Sequence, residues 1–239
     1  MRATTCTPRA MPGATRLLAV QLGMVLAWSS GFVGYRYAME QAPVFLTSFW
    51  RFAVCLALLL PFAWAGLRRL SARQWRRQAL IGVLWAGHAA LVLGRAPGWA
   101  YGLPLLGMLA LALATLLQKR WDDAPGSLAV VLFVQIGAAL PAFAGLALAE
   151  GSLRPPLSGG FLFGLAWLVL LPTFGGYGLY WLGLRHLSAQ GGSAALYLSP
   201  ALTLLWAHWM FAEPLTPMLL GGLLLSLAGL GWLYRAERR

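Results

Sequence analysis

Apolar residues along this chain fall into runs of about 20, each long enough at 1.5 Å per residue to cross a hydrocarbon core of roughly 30 Å. The runs predict eight helical spans, at residues 17–38, 44–66, 79–94, 99–118, 127–149, 160–184, 192–211 and 215–234. The third is the shortest and falls just below the usual length of a crossing. The last two show the pattern most plainly: between Gly191 and Gly231 two apolar helices are separated by the turn Phe211–Pro217, and Ser199-Pro200 interrupts the first of them.

Composition supports the same reading. Of 239 residues, 60% are hydrophobic and 10% are charged. A soluble domain carries about a quarter charged residues and would struggle to cover its surface with so few. The 28 glycines, 14 prolines and 12 tryptophans fit membrane helices, which tolerate Gly and Pro and place Trp at the interfaces. The net charge of +12 would suggest nucleic acid in a soluble protein, but here the charges lie between apolar runs and read as a topology signal, so no nucleic-acid partner is expected.

With the amino terminus inside, the inner segments collect Arg2, Arg9, Arg16, the cluster Arg68, Arg69, Arg73, Arg76 and Arg77, then Lys119, Arg120, Arg185, Arg235, Arg238 and Arg239. The outer connections keep only Arg36, Arg95 and Arg154. This alternation supports eight spans with both ends inside, and dropping one span would break it. The outer connections are short, so one membrane domain covers residues 1–239, with cytoplasmic tails at 1–16 and 235–239. The basic start followed by Leu17–Trp28 superficially matches a secretory signal, but no small-residue cleavage site follows, and a retained first span is expected.

No nucleophile elbow, phosphate-binding loop or metal-spaced His/Cys set is present, and the six acids, Glu40, Asp122, Asp123, Glu150, Glu213 and Glu237, all fall at or beyond span ends. An enzyme, a cofactor and a metal site are therefore not expected. Polar residues within spans are the remaining candidates, because they are costly in lipid and tend to face protein or a watery cavity. Arg51 either lines a substrate path or snorkels to the outer headgroups. His208 is a candidate for proton relay or substrate binding, set against a plain hydrogen bond to a neighbouring helix. Gln135 reads more readily as a link between helices than as a substrate contact. In the sixth span Pro172, Gly175 and Gly176 weaken the helix, either exposing backbone at a midplane site or allowing close helix packing, and Tyr177 and Tyr180 add aromatic surface. The same ambiguity covers Trp28 and Ser29. Glu213 reads as a turn residue near the start of the eighth span. Pro200 completes the set of helix-breaking residues.

The WSSGFVG stretch at Trp28–Gly34, Pro43 and Arg51-Phe52, then Tyr177, Tyr180, Trp181, GGSAA at Gly191–Ala195, Ser199-Pro200, EPLT at Glu213–Thr216 and the glycines from Gly221 to Gly229 together resemble the EamA-type branch of the drug/metabolite transporter superfamily. The resemblance covers most of the chain and rests on the order and spacing of individually weak motifs. It implies an all-α membrane helix bundle of two inverted five-helix repeats. Here residues 99–234 form a complete second repeat, and residues 17–94 form a first repeat lacking about two spans, with a seam at Trp85–His88.

It further implies a secondary transporter, an exporter of small metabolites or amphiphilic compounds working by alternating access, with a substrate path drawn from Trp28, Ser29, Arg51, Gln135, Tyr177, Tyr180 and His208. Short loops favour a plasma membrane, the bacterial inner membrane. Membrane lipids and an unidentified small molecule are the expected partners. The alternative is a non-transporting remnant, or a half-site completed by a partner such as a second copy pairing through Gly221, Gly222 and Gly229.

Overall fold

The computed structural model describes residues 14–93, 127–184 and 198–237, together with most of 109–121. Every regular element among them is helical. In chain order these are α1 (Ala14–Ser29), α2 (Gly31–Met39), α3 (Val44–Leu67), α4 (Ala72–Leu93), a helical stretch within 109–120, α5 (Leu128–Ala149), α6 (Gly159–Leu168), a π-helical segment (Val169–Gly176), α7 (Tyr177–Leu184), α8 (Ser199–Phe211) and α9 (Pro217–Glu237). Among the described residues, three helices are long and apolar enough to cross a membrane: Val44–Leu67, Leu128–Ala149 and the stretch Gly159–Tyr180. The parts of the predicted pattern at residues 1–13, 99–108 and 192–197 lie outside the described residues, as does the carboxy-terminal pair Arg238 and Arg239.

Two predicted spans take a different form. The first, 17–38, is broken at Ser30 into α1 and α2. The cause is local: Ser29 Oγ donates to the Leu26 carbonyl (3.1 Å) and Ser30 Oγ to the Ala27 carbonyl (2.7 Å). Serine hydroxyls that bond back to the preceding turn compete with the helix ladder and bend it. The short third span, 79–94, is the second part of a longer helix, since α4 begins at Ala72. A reciprocal cap starts it there: the Ser71 N–H donates to Gln74 Oε1 (3.0 Å) and the Gln74 N–H to Ser71 Oγ (3.2 Å).

The chain divides into two compact units, one made of residues 1–32 and 171–239, the other of residues 33–170. In the second unit α3 and α4 both pack against α5, and α3 also meets α6. Lipid tails are as apolar as leucine, so this packing relies on shape and small residues. Ala38, Ala42, Leu46, Ala147, Phe161 and Leu165 form one buried cluster, and Ala86, Ala139 and Phe143 another, the latter walled by Phe45, Phe49 and Phe52. Glycines mark the closest crossings. A Cβ on Gly164 would stand 2.6 Å from the Gly34 carbonyl oxygen and 2.7 Å from the Ala38 nitrogen, and one on Gly82 would collide with the Gln135 backbone.

A carboxylate locks one end of this unit. The start of α3 follows Pro43, which offers no side-chain cap. Instead the Phe45 and Leu46 N–H groups donate to Glu150 Oε2 (3.0 and 3.1 Å) just past the end of α5, and Trp50 Nε1 donates to the Leu153 carbonyl (2.9 Å). An anion here satisfies two open helix donors and complements the positive end of the helix dipole. Glu150→Ala is expected to lower stability by about 1 kcal/mol, and Glu150→Gln, which keeps an acceptor, by less. Denaturation in mixed micelles measures both; equal stability of the alanine variant and the wild type would rule the cap out.

In the first unit α1 packs on α7 and α8, and α9 touches α8. Met24 and Val25 form its buried centre with Trp28, Leu179, Tyr180, Leu198 and Leu202 around them. The helix α8 begins with Pro200 in its first turn, where a missing N–H costs nothing, and ends at Ala212 in the left-handed region (φ 53°). Glu213 lies in the following turn, its N–H 3.4 Å from the Ala207 carbonyl.

Candidate functional site

The aromatic residues of the first unit converge on Trp28. Its ring centroid lies 5.1 Å from that of Tyr177, edge to face, and 5.6 Å from that of Tyr180. Spacings of this kind suit the ring quadrupoles, negative on the face and positive at the edge. The helix opposite brings the tyrosines there through an irregularity. Pro172, inside the helix, cannot donate to the ladder, and Val169–Gly176 is wound as a π-helix, a form frequent at functional sites.

Pro172 packs against Gly31, and a Cβ on Gly176 would stand 3.5 Å from the Trp28 ring. Gly175 shares the same π-helical turn. Ser29 is buried, and its Oγ accepts from Trp206 Nε1 on α8 (3.2 Å). Phe32 and Phe211 stack edge to face at 5.9 Å on the same unit. Trp28, Ser29, Tyr177 and Tyr180 are thus brought together, beside Pro172 and Gly176. Trp206 joins them, a residue the sequence did not single out, because one tryptophan among 12 on membrane helices carries no mark of an inward direction.

Three other sequence candidates stand elsewhere. His208, in the last turn of α8, is exposed, and its Nδ1 lies 2.9 Å from the Glu213 carbonyl, to which it donates. It closes the turn that follows its own helix. Arg51 belongs to the second unit, where its Nη1 donates to Tyr35 Oη (3.4 Å) and its guanidinium lies 5.5 Å from the Phe52 ring centroid. Tyr35 Oη in turn shares a hydrogen bond with Ser48 Oγ (2.9 Å), so the cation heads a short chain of hydroxyls between α2 and α3. Gln135 also lies in the second unit. Its Nε2 donates to Gln78 Oε1 (2.7 Å) and to Gln118 Oε1 (2.8 Å), tying three helices together. Among the described residues no group of His, Cys, Asp and Glu could hold a metal ion.

Long apolar helices, interhelical packing on glycines and an aromatic cluster beside a π-helical stretch define a multi-pass helical membrane protein. The sequence model of the EamA-like transporter family matches residues 16–93 and again residues 98–235. The chain belongs to that family, within the drug/metabolite transporter superfamily. No curated protein and no solved structure matches it.

Proposed function

We propose that this chain is a secondary transporter that exports small metabolites or amphiphilic compounds by alternating access, with the Trp28, Tyr177 and Tyr180 cluster as the part of its path that meets the substrate. The observation that carries this reading is the coincidence of that cluster with the π-helical segment at Pro172–Gly176. Interrupted helices in transporters free backbone groups where the substrate binds, and aromatic faces take apolar or cationic bodies without needing a countercharge. Ser29 and Trp206 hold α1 and α8 together beside the cluster. In this reading the protein sits in a bacterial inner membrane with both termini cytoplasmic, as the distribution of arginines suggests. Family membership also accords with a protein that is not an enzyme.

The test is uptake into proteoliposomes of a panel of aromatic and amphiphilic compounds, driven by a proton or sodium gradient. Gradient-dependent movement of at least one compound is the expected result. A panel that stays outside while a longer relative moves it under the same conditions would sink the proposal.

A second reading is favoured by one observation: the first matched segment, residues 16–93, is shorter than the second, residues 98–235. A chain whose first repeat lacks spans would need a second copy to complete its path, and the exposed Gly221, Gly222 and Gly229 on α9 offer small residues for pairing. Crosslinking in native membranes that yields dimers favours this version, and monomers alone remove it.

A further inference from the structure

From the end of α3 into the first turns of α4 the chain carries five arginines in ten residues, Arg68, Arg69, Arg73, Arg76 and Arg77, and no acid occurs in sequence between Glu40 and Asp122. Two of the five rest on tryptophan faces. The Arg68 guanidinium lies 4.8 Å from the Trp64 ring centroid, and that of Arg77 lies 5.1 Å from the Trp121 centroid. The remaining three, Arg69, Arg73 and Arg76, are exposed, and their guanidinium groups make no ion pair, hydrogen bond or ring contact with the described residues. The Ser71–Gln74 cap fixes where α4 begins, so these charges are held on a defined turn.

What surrounds the arginines narrows what they can meet. One turn back along α3, Phe62 and Trp64 are 76% and 52% exposed, and along α4 Trp75, Leu80 and Val83 are exposed too. Such apolar side chains belong against acyl chains. The arginines therefore stand where the apolar surface stops, at the level of the headgroups. A bilayer surface offers acyl chain and phosphate within one helical turn of about 5.4 Å. All five cations are arginine, whose planar fork pairs with two phosphate oxygens at once, as a lysine ammonium does not.

We infer that the Arg69, Arg73 and Arg76 face is a binding surface for anionic phospholipid, taking the headgroup phosphate while Trp64 and Trp75 seat beside the upper acyl chain. The surface acts independently of any transported substrate, and its lipid would hold the α3–α4 turn at one depth in the membrane.

The test is native mass spectrometry of the full chain in neutral detergent, titrated with phosphatidylglycerol or phosphatidylcholine. The wild type is expected to retain phosphatidylglycerol with about tenfold preference or more, falling as salt rises. Substituting R69Q, R73Q and R76Q together is expected to bring that preference within about twofold of unity. Arg36→Gln with Arg154→Gln, at the other end of the same unit, is expected to leave it unchanged. Equal retention of the two lipids by the wild type overturns the inference, and so does a triple variant that keeps the preference. If the triple variant does not fold, the three single changes decide: each is expected to weaken phosphatidylglycerol about threefold, and no effect from any of them is equally fatal.

Discussion

Gly82→Ala is expected to destabilise the protein by about 3 kcal/mol, or roughly 6–12 °C in unfolding midpoint for a chain of this length. On α4, the added methyl would meet the Gln135 carbonyl oxygen, with the Gln135 Cα at 2.7 Å and its carbonyl carbon at 2.8 Å. These are backbone atoms of α5, which cannot swing aside as a side chain would, so α4 and α5 must separate. Their separation would also pull apart the amides of Gln78 and Gln135, which meet at 2.7 Å one turn away on α4.

A control lies on the same helix. A Cβ on Gly87 would meet nothing within 4 Å, so Gly87→Ala makes the same chemical change without the collision. Helix propensity alone then predicts a gain of up to about 1 kcal/mol. The difference between the two variants, read by denaturation in mixed micelles, isolates the steric effect. Two variants of equal stability would show that α4 does not lie this close to α5.

The value of Gly82 was not legible in the sequence, and the reason is physical. Apolar runs report how much of a helix is unwelcome in water, which is why 44–66 and 127–149 emerge almost residue for residue as Val44–Leu67 and Leu128–Ala149. Within lipid, every face of such a helix is equally apolar, and the pattern no longer says which face meets a neighbour. Gly82 and Gly87 look alike along the chain and differ only through what α5 places opposite them. Glu150 illustrates the same gap: its position at a span end is plain, but its partners Phe45 and Leu46 lie more than a hundred residues away.

Errors at element ends have a local cause. The hydropathy of 72–78 is ruined by Arg73, Arg76 and Arg77, yet a Ser-x-x-Gln cap begins a helix there regardless of polarity. Hydropathy measures where a helix enters lipid, and capping chemistry where it begins. In α4 these are different places. The break at Ser30 is the converse, a hydrogen-bonding event inside a run that hydropathy reads as one span.

Trp28 is where structure and function can be separated by experiment. Trp28→Ala is expected to reduce the initial rate of transport per folded molecule at least about tenfold, equivalent to about 1.4 kcal/mol of lost contact with the substrate. The same change also removes a large packed side chain, which costs about 3–5 kcal/mol on its own in a core. Trp28→Phe resolves this. It leaves a ring against Gly176, between the two tyrosines, and removes only part of the aromatic surface.

For the phenylalanine variant a loss of apparent affinity of about threefold is expected, with a midpoint close to that of the wild type. Trp206→Phe supplies the opposite case. It deletes the hydrogen bond to Ser29 (3.2 Å), so it should lower stability by about 1 kcal/mol and leave apparent affinity alone. Stability and affinity would then move separately across the pair, as they should if Trp28 faces substrate while Trp206 holds α8 to α1. If affinity instead tracks stability in every variant, the Trp28 cluster is packing and the substrate path lies elsewhere on the chain, with the Arg51, Tyr35 and Ser48 hydroxyl chain the next place to look.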